Sequence, residues 1–403
     1  MTAHVPPSNT AIAKKLAHHH QSVPTQASSQ LPSLTRQGRP RLTGGVLDKQ
    51  TALSRMNAWF FVSERDGEAG VYRIEDDGTL THLAIEDFQL LLANIFVDLG
   101  NKHEAIYKYW LHYSKRRTCK RILFEPSGNV AADENNLWRG FAIATKKGYQ
   151  RQRRLLSHIW RIICKRDKTK FKYLMKWLAW AVQNPHRHAE VVVVLMSNTE
   201  GSGKTTLGSV MLDIFGLGKG RHGLLVDDKD QLLGKFNSHL ETTCFVLGEE
   251  VLWAGDPRTA DAFKSRITAG TIPIEEKYRQ RRQVPSRLHV MLTTNHTWAI
   301  SAGVQARRYF VVEMSDEVAQ DKAWFGPLYR DLEDGGTSEF LHLLLNLKLG
   351  DWHPRDLPKT EELALQQVLS AGTIEQWLLA CADMEALIGG MGTQDLDTTV
   401  STR

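Results

Sequence analysis

The sequence predicts an α/β chain built on a mainly parallel sheet, and three segments carry that prediction. The run Val191-Val-Val-Val-Leu-Met196 is largely β-branched and leads into a glycine-bearing loop. A second apolar run begins at Thr242 and ends on Glu249 and Glu250. A third, from Leu288 to Thr294, ends on Asn295. Over 188–315 such strands alternate with helical stretches, the pattern of crossover connections in a parallel α/β sheet. Ligands of these sheets sit at the carboxyl ends of the strands, where all three runs place polar residues.

The chain has 403 residues, too many for one ordinary core, which predicts two or three domains. Hydrophobic residues make up 42% and charged residues 24%, an ordinary globular composition. The net charge of +6 is compatible with a nucleic-acid partner and does not require one. Cys119, Cys164, Cys244 and Cys381 form no CxxC pair, so neither a zinc site nor a disulfide framework is expected. The longest apolar run falls far short of a membrane span, and no secretion signal opens the sequence. The expectation is a protein of a bacterial host cytoplasm with no membrane partner.

Residues 1–47 are rich in Ser, Pro, Gln, Thr and His and read as a disordered basic arm, either touching nucleic acid or simply solvated. Residues 48–145 read as a small α+β domain. Short strands are expected at Trp59–Ser63, Val71–Ile74, Thr79–Leu83 and Arg121–Phe124, with a turn at Asp66-Gly67. Helices are expected at Ile85–Leu99 and Glu104–Tyr113. A basic helical segment covers 146–187, with Leu174, Trp177, Leu178 and Ala181 on one apolar face. The α/β unit of 188–315 follows, then a helical segment over 316–380 and a frayed tail over 381–403.

The segment Asn198-Thr199-Glu200-Gly201-Ser202-Gly203-Lys204-Thr205-Thr206 is a phosphate-binding loop in the required strand–loop–helix setting. Gly201 and Gly203 let the backbone close around phosphate with its N–H groups inward. Lys204 would reach the β- and γ-phosphates of ATP, and the Thr205 hydroxyl would ligate Mg²⁺. Asn198 stands where the motif has its first glycine, and asparagine tolerates a left-handed backbone better than other side chains.

The acidic pair lies about 45 residues beyond that loop, at a strand end. Glu249 would hold Mg²⁺, and Glu250 would orient and deprotonate the attacking water. The alternative is a solvated strand end. Asn295 would hydrogen-bond the γ-phosphate or the water, or else cap its loop. Arg308, with Arg307 as second choice, precedes another strand; a planar guanidinium from a neighbouring subunit suits a phosphoryl transition state.

Beyond these motifs the chain resembles the superfamily III helicases, in particular the ATPase module of phage and prophage primase-helicases. The resemblance includes Asn136-Leu-Trp-Arg-Gly-Phe141, Gln183-Asn-Pro185 and Gly234-Lys-Phe-Asn-Ser-His-Leu240. It continues through Asp261-Ala-Phe-Lys-Ser-Arg-Ile-Thr268 with Ile274-Glu-Glu-Lys277, and ends at Pro358-Lys-Thr360 with Ser370. It implies an AAA+-like ATPase core, a ring that is most often a hexamer, and ATP held between subunits. It also implies a DNA-gripping hairpin, here with Lys277, Tyr278, Arg279, Arg281 and Arg282. Basic residues there would contact phosphates and the aromatic would stack on a base. The glutamate pair and Asn198 depart from the commoner pattern. No primase domain is evident ahead of the helical segment, so a primase or polymerase would be a separate partner.

The expected activity is an ATP-driven helicase or translocase on single-stranded or forked DNA, in replication of a phage, prophage or mobile element. The alternatives are an initiator or loader that unwinds little, or a P-loop ATPase of packaging or defence type. The block from Lys146 to Lys176, with Asp167 its one acid, is either a second DNA-contacting stripe or a solvated face.

Overall fold

A computed structural model describes residues 42, 44–65, 67–251, 257–276, 281–296 and 307–370. The tail, Asp66, the hairpin residues Lys277, Tyr278 and Arg279, and the arm apart from Leu42 and residues 44–47 lie outside the described residues. The end of the expected disordered arm, Gly45–Leu47, is instead a strand, ordered by pairing with Ile95–Val97.

The fold is α/β, centred on a five-stranded parallel sheet. Its strands are β1 (Val192–Met196), β2 (Gly223–Val226), β3 (Phe245–Glu249), β4 (His289–Thr294) and β5 (Tyr309–Glu313). Their order across the sheet is β2-β3-β4-β1-β5, with every pairing parallel. The sequence runs through this sheet as uninterrupted apolar stretches because both of its faces are covered. Along β1, Val193 and Leu195 enter one core, while Val192, Val194 and Met196 enter the other.

The first core is closed by helix α1 (Lys204–Phe215) and by the helices Lys168–Gln183 and Thr337–Asn346. Asp167 starts Lys168–Gln183 by accepting the N–H groups of Thr169 and Lys170. Trp177, on its apolar face, is fully buried and donates its indole N–H to Val191 O at 3.0 Å. Truncating such a side chain to alanine costs about 3–5 kcal/mol. The second core is closed by the helices Pro257–Thr268 and Glu361–Leu369 and by the hairpin of Thr271–Ile274 with Arg282–Pro285.

The N-terminal region has a separate core in which Phe60, Phe88 and Trp110 meet edge-on or tilted. Its strands Phe60–Arg65, Glu68–Ile74, Leu80–Leu83 and Thr118–Leu123 lie close to the expected ones. The expected helix over Ile85–Leu99 is not a single helix. It stops at Leu91, and Ile95–Asp98 is a strand paired with Gly45–Leu47. Ile95 and Val97 are buried while Phe96 and Asp98 are exposed, a period of two that overrides the helical spacing.

Half of the basic block is engaged in ion pairs within the fold. Arg151 and Arg154 pair with Asp331, Arg161 and Arg166 with Glu317, Lys165 with Glu313, and Lys170 with Glu362. These acids lie in the helical segment after the sheet or at the end of β5, so these side chains face that segment. Among the described residues no helix is long and apolar enough to cross a membrane.

Candidate nucleotide-binding site

β1 ends at Met196, the loop Ser197–Gly203 turns, and α1 begins at Lys204. Gly201 and Gly203 take φ of +75° and +83°, a left-handed conformation in which a side chain is strained. Ser197 Oγ donates to Thr199 O at 2.7 Å and accepts Thr199 N–H at 3.2 Å. Asn198 has no positive φ, so the tolerance expected of it is not called upon. Its side chain instead donates to Glu313 Oε1 at 3.0 Å. Lys165, 2.8 Å from Glu313 Oε2, holds that carboxyl below the ordinary carboxylate range.

The sheet order brings the other residues to the loop. β4 lies between β1 and β3, so Asn295 arrives between Lys204 and the acids. Lys204 Nζ donates to Asn295 Oδ1 and lies 3.8 Å from Glu250 Oε1. Burial pushes the Lys204 ammonium below its ordinary value, opposed by Glu250, Glu200 and Glu249. Glu250 Oε1 accepts Asn295 N–H at 2.9 Å and Oε2 accepts the Thr294 hydroxyl at 3.1 Å. His296 Nε2 stands 3.8 Å from Oε2. Glu250 has φ +54°, unusual for a side-chain-bearing residue, and strain of this kind concentrates at functional positions.

Glu249 closes β3 and hydrogen-bonds the Thr205 hydroxyl; burial raises its carboxyl while Thr205 and Lys204 pull it back. Ser202 Oγ is buried without a hydrogen-bond partner. The donor set fits a triphosphate. Lys204 and the loop amides suit phosphate oxygens, and the Thr205 hydroxyl with the Glu249 carboxylate suits the hard oxygen shell of Mg²⁺. Thr206 is placed differently: buried, with its hydroxyl 3.2 Å from Tyr329 Oη.

Arg307 and Arg308 precede β5, whereas the loop follows β1. The strands are parallel, with Tyr309 beside Val192 and Glu313 beside Met196. The arginines therefore lie at the opposite end of the sheet from their own loop, separated by about 16 Å of strand. On the hairpin, Arg281 is exposed. Arg282 is committed to Glu241 through two contacts of 2.9 Å and to Glu276 at 2.7 Å. Glu241 also takes Arg65 from the N-terminal sheet.

Sequence reasoning did not find His158, Gln320, Trp324, Phe325 or Tyr329, which enclose the loop from behind. His158 Nε2 is 3.3 Å from Gly203 O, and Trp324 Nε1 donates to His158 Nδ1 at 3.2 Å. One signal in the structure marks the place: the helix Arg153–His158 runs into a π-turn over Ile159–Ile163, a feature frequent at functional sites.

A family model described as a family of unknown function (DUF5906) matches residues 195–308, from within β1 to Arg308. No curated protein matches the chain. Among solved structures, an apo structure of the NrS-1 C-terminal region (305–718) is similar at a TM-score of 0.62 and 15% identity. It covers 83% of this chain and 80% of that one. The A-form apo structure of the same region gives a TM-score of 0.63 at 16% identity, over 82% and 77% of the two chains. At such identities the likeness is one of fold. A JCV helicase structure is also matched, at a TM-score of 0.32 and 14% identity over 60% of this chain and 67% of that one, and carries no fold inference.

Proposed function

We propose that this chain is an ATP hydrolase of the superfamily III helicase type. It moves along or unwinds DNA in the replication of a phage, prophage or mobile element. The observation that carries the reading is the meeting of Lys204, Asn295 and Glu250 at the carboxyl ends of three adjacent parallel strands.

Each residue has a distinct task. Lys204 and the loop amides bind the β- and γ-phosphates. Glu250, its oxygens aimed by Asn295 N–H and the Thr294 hydroxyl, takes the proton of the attacking water. The Asn295 side chain, bonded to Lys204 here, exchanges that contact for the γ-phosphate or the water. Thr205 and Glu249 would hold Mg²⁺, which would supply charge neutralisation at the phosphates. Arg308 serves the site of the adjacent subunit in a hexameric ring, in keeping with its place at the far end of β5. The hairpin, with Arg281 exposed, meets the DNA backbone.

The deciding experiment measures ATP hydrolysis with and without single-stranded DNA, beside Lys204→Ala. A DNA-stimulated rate that the substitution removes is expected. A rate indifferent to DNA favours a packaging or defence ATPase. DNA-stimulated hydrolysis without strand displacement favours an initiator or loader.

A further inference from the structure

The phosphate loop is tied from behind by residues that no motif marks. His158 is fully buried, its ring lying between the Gly203 carbonyl and the Trp324 indole. An indole N–H only donates, so His158 Nδ1 is the acceptor and the proton sits on Nε2, which donates to Gly203 O. That carbonyl also accepts Thr206 N–H at 3.1 Å, so both of its lone pairs are used. The fit is close: a Cβ on Gly203 would meet Phe325 Cε1 at 2.6 Å and His158 Cε1 at 2.8 Å. Two residues earlier, the backbone N–H of Gln320 donates to Gly201 O at 3.0 Å.

These contacts set the direction of the loop's donors. In a trans peptide the carbonyl and the following N–H point to opposite sides. Holding Gly203 O toward His158 turns Lys204 N–H to the other side of the loop. Holding Gly201 O toward Gln320 does the same for Ser202 N–H. Such N–H groups, aligned together, form an anion-binding cradle. Glycine is permissive enough to let these peptides flip if nothing restrains them.

We propose that His158, backed by Trp324, is a positioning residue for nucleotide binding. Together with the Thr206 N–H, it fixes the Gly203–Lys204 peptide so that Lys204 N–H faces the phosphates. The proposal rests on the nucleotide reading of the site. Burial lowers the His158 pKa to about 4, so at neutral pH the ring stays uncharged, with one donor and one acceptor.

The test compares affinity for a fluorescent ATP analogue, together with thermal stability, in the unmodified protein, His158→Phe, His158→Gln and Trp324→Phe. Losing one buried hydrogen bond corresponds to about a tenfold loss of affinity, expected for His158→Phe. Glutamine keeps a donor and an acceptor, so His158→Gln is expected to bind within about threefold of the unmodified protein. Trp324→Phe, which frees the ring without removing it, is expected to fall between. A folded His158→Phe variant that binds as tightly as the unmodified protein overturns the proposal. Should that variant fail to fold, Trp324→Phe decides, and unchanged affinity there overturns it. An unmodified protein that does not bind the analogue overturns the nucleotide reading, and this proposal with it.

Discussion

Glu250 Oε1 accepts the backbone N–H of Asn295 at 2.9 Å, so the acid beyond β3 is aimed by the end of β4. The Thr294 hydroxyl holds the second oxygen, leaving the carboxylate little freedom. In the proposed role of base it would be pre-oriented, and its contribution separable from binding.

Glu250→Gln keeps the shape and loses the proton acceptor. Nucleotide affinity is expected within about threefold of the unmodified protein, while kcat falls by about 10²- to 10⁴-fold. Lys204→Ala is expected to lose hydrolysis altogether. Single-turnover hydrolysis beside equilibrium binding separates the two, and normal turnover by Glu250→Gln removes it from the role of base.

Asn295→Ala removes the side-chain partner of Lys204 and leaves the backbone N–H to Glu250. A fall in kcat of about 10²-fold is expected, with a smaller change in KM. Steady-state kinetics check it; a change confined to KM would make Asn295 a binding residue only.

Arg308→Ala is expected to slow hydrolysis by about 10³-fold. Because Arg308 and its own loop lie at opposite ends of the sheet, mixing decides who uses it. Arg308→Ala subunits keep an intact Glu250, and Glu250→Gln subunits keep an intact Arg308. Together they should regain activity that neither shows alone. Mixed samples that stay inactive after subunit exchange argue against service in trans.

Lys277→Ala combined with Arg281→Ala is expected to weaken DNA stimulation of the ATPase and spare the basal rate. Retained stimulation would take the hairpin out of the DNA site.

Stability should fall with acid through buried histidines. Burial lowers His158, His222 and His289 each from 6.5 to about 4. Their folded pKa values lie below the unfolded ones, so the unfolded chain takes up protons first as pH falls. The stability these three groups contribute is therefore fully present above pH 6.5 and is lost between 6.5 and about 4, partly offset below pH 6 by Asp213, which burial raises to about 6. Three such groups give a slope of up to roughly 4 kcal/mol per pH unit within that window. Denaturant titrations at pH 7.5 and 5.5 measure it, and equal stabilities would mean that these rings are not buried neutral.

The central sheet, and the residues that meet at its carboxyl edge, were legible because they are local. An unbroken β-branched run, a glycine loop and polar strand ends carry their meaning within ten residues. The back of the site was not legible. His158 reaches Gly203 across 45 residues and Trp324 across 166, and each is an ordinary residue in its own stretch. The same limit applied to the basic block. Lys165 and Arg161 look like a stripe along the chain, and only the fold brings Glu313 and Glu317 to them. The helix expected over Ile85–Leu99 failed for a related reason: the partner of Ile95–Asp98 is Gly45–Leu47, far upstream.

Asn198 ties the phosphate loop to Glu313, the last residue of β5, and Arg308 stands immediately before the first. In the proposed ring, β5 would join the site a subunit keeps to the arginine it lends. A displacement of one loop on filling or emptying would travel along β5 to the next site. The asparagine that departs from the glycine pattern adds a side-chain tie there, beside the backbone pairing of Met196 with Glu313 and the Ser197–Asp316 hydrogen bond.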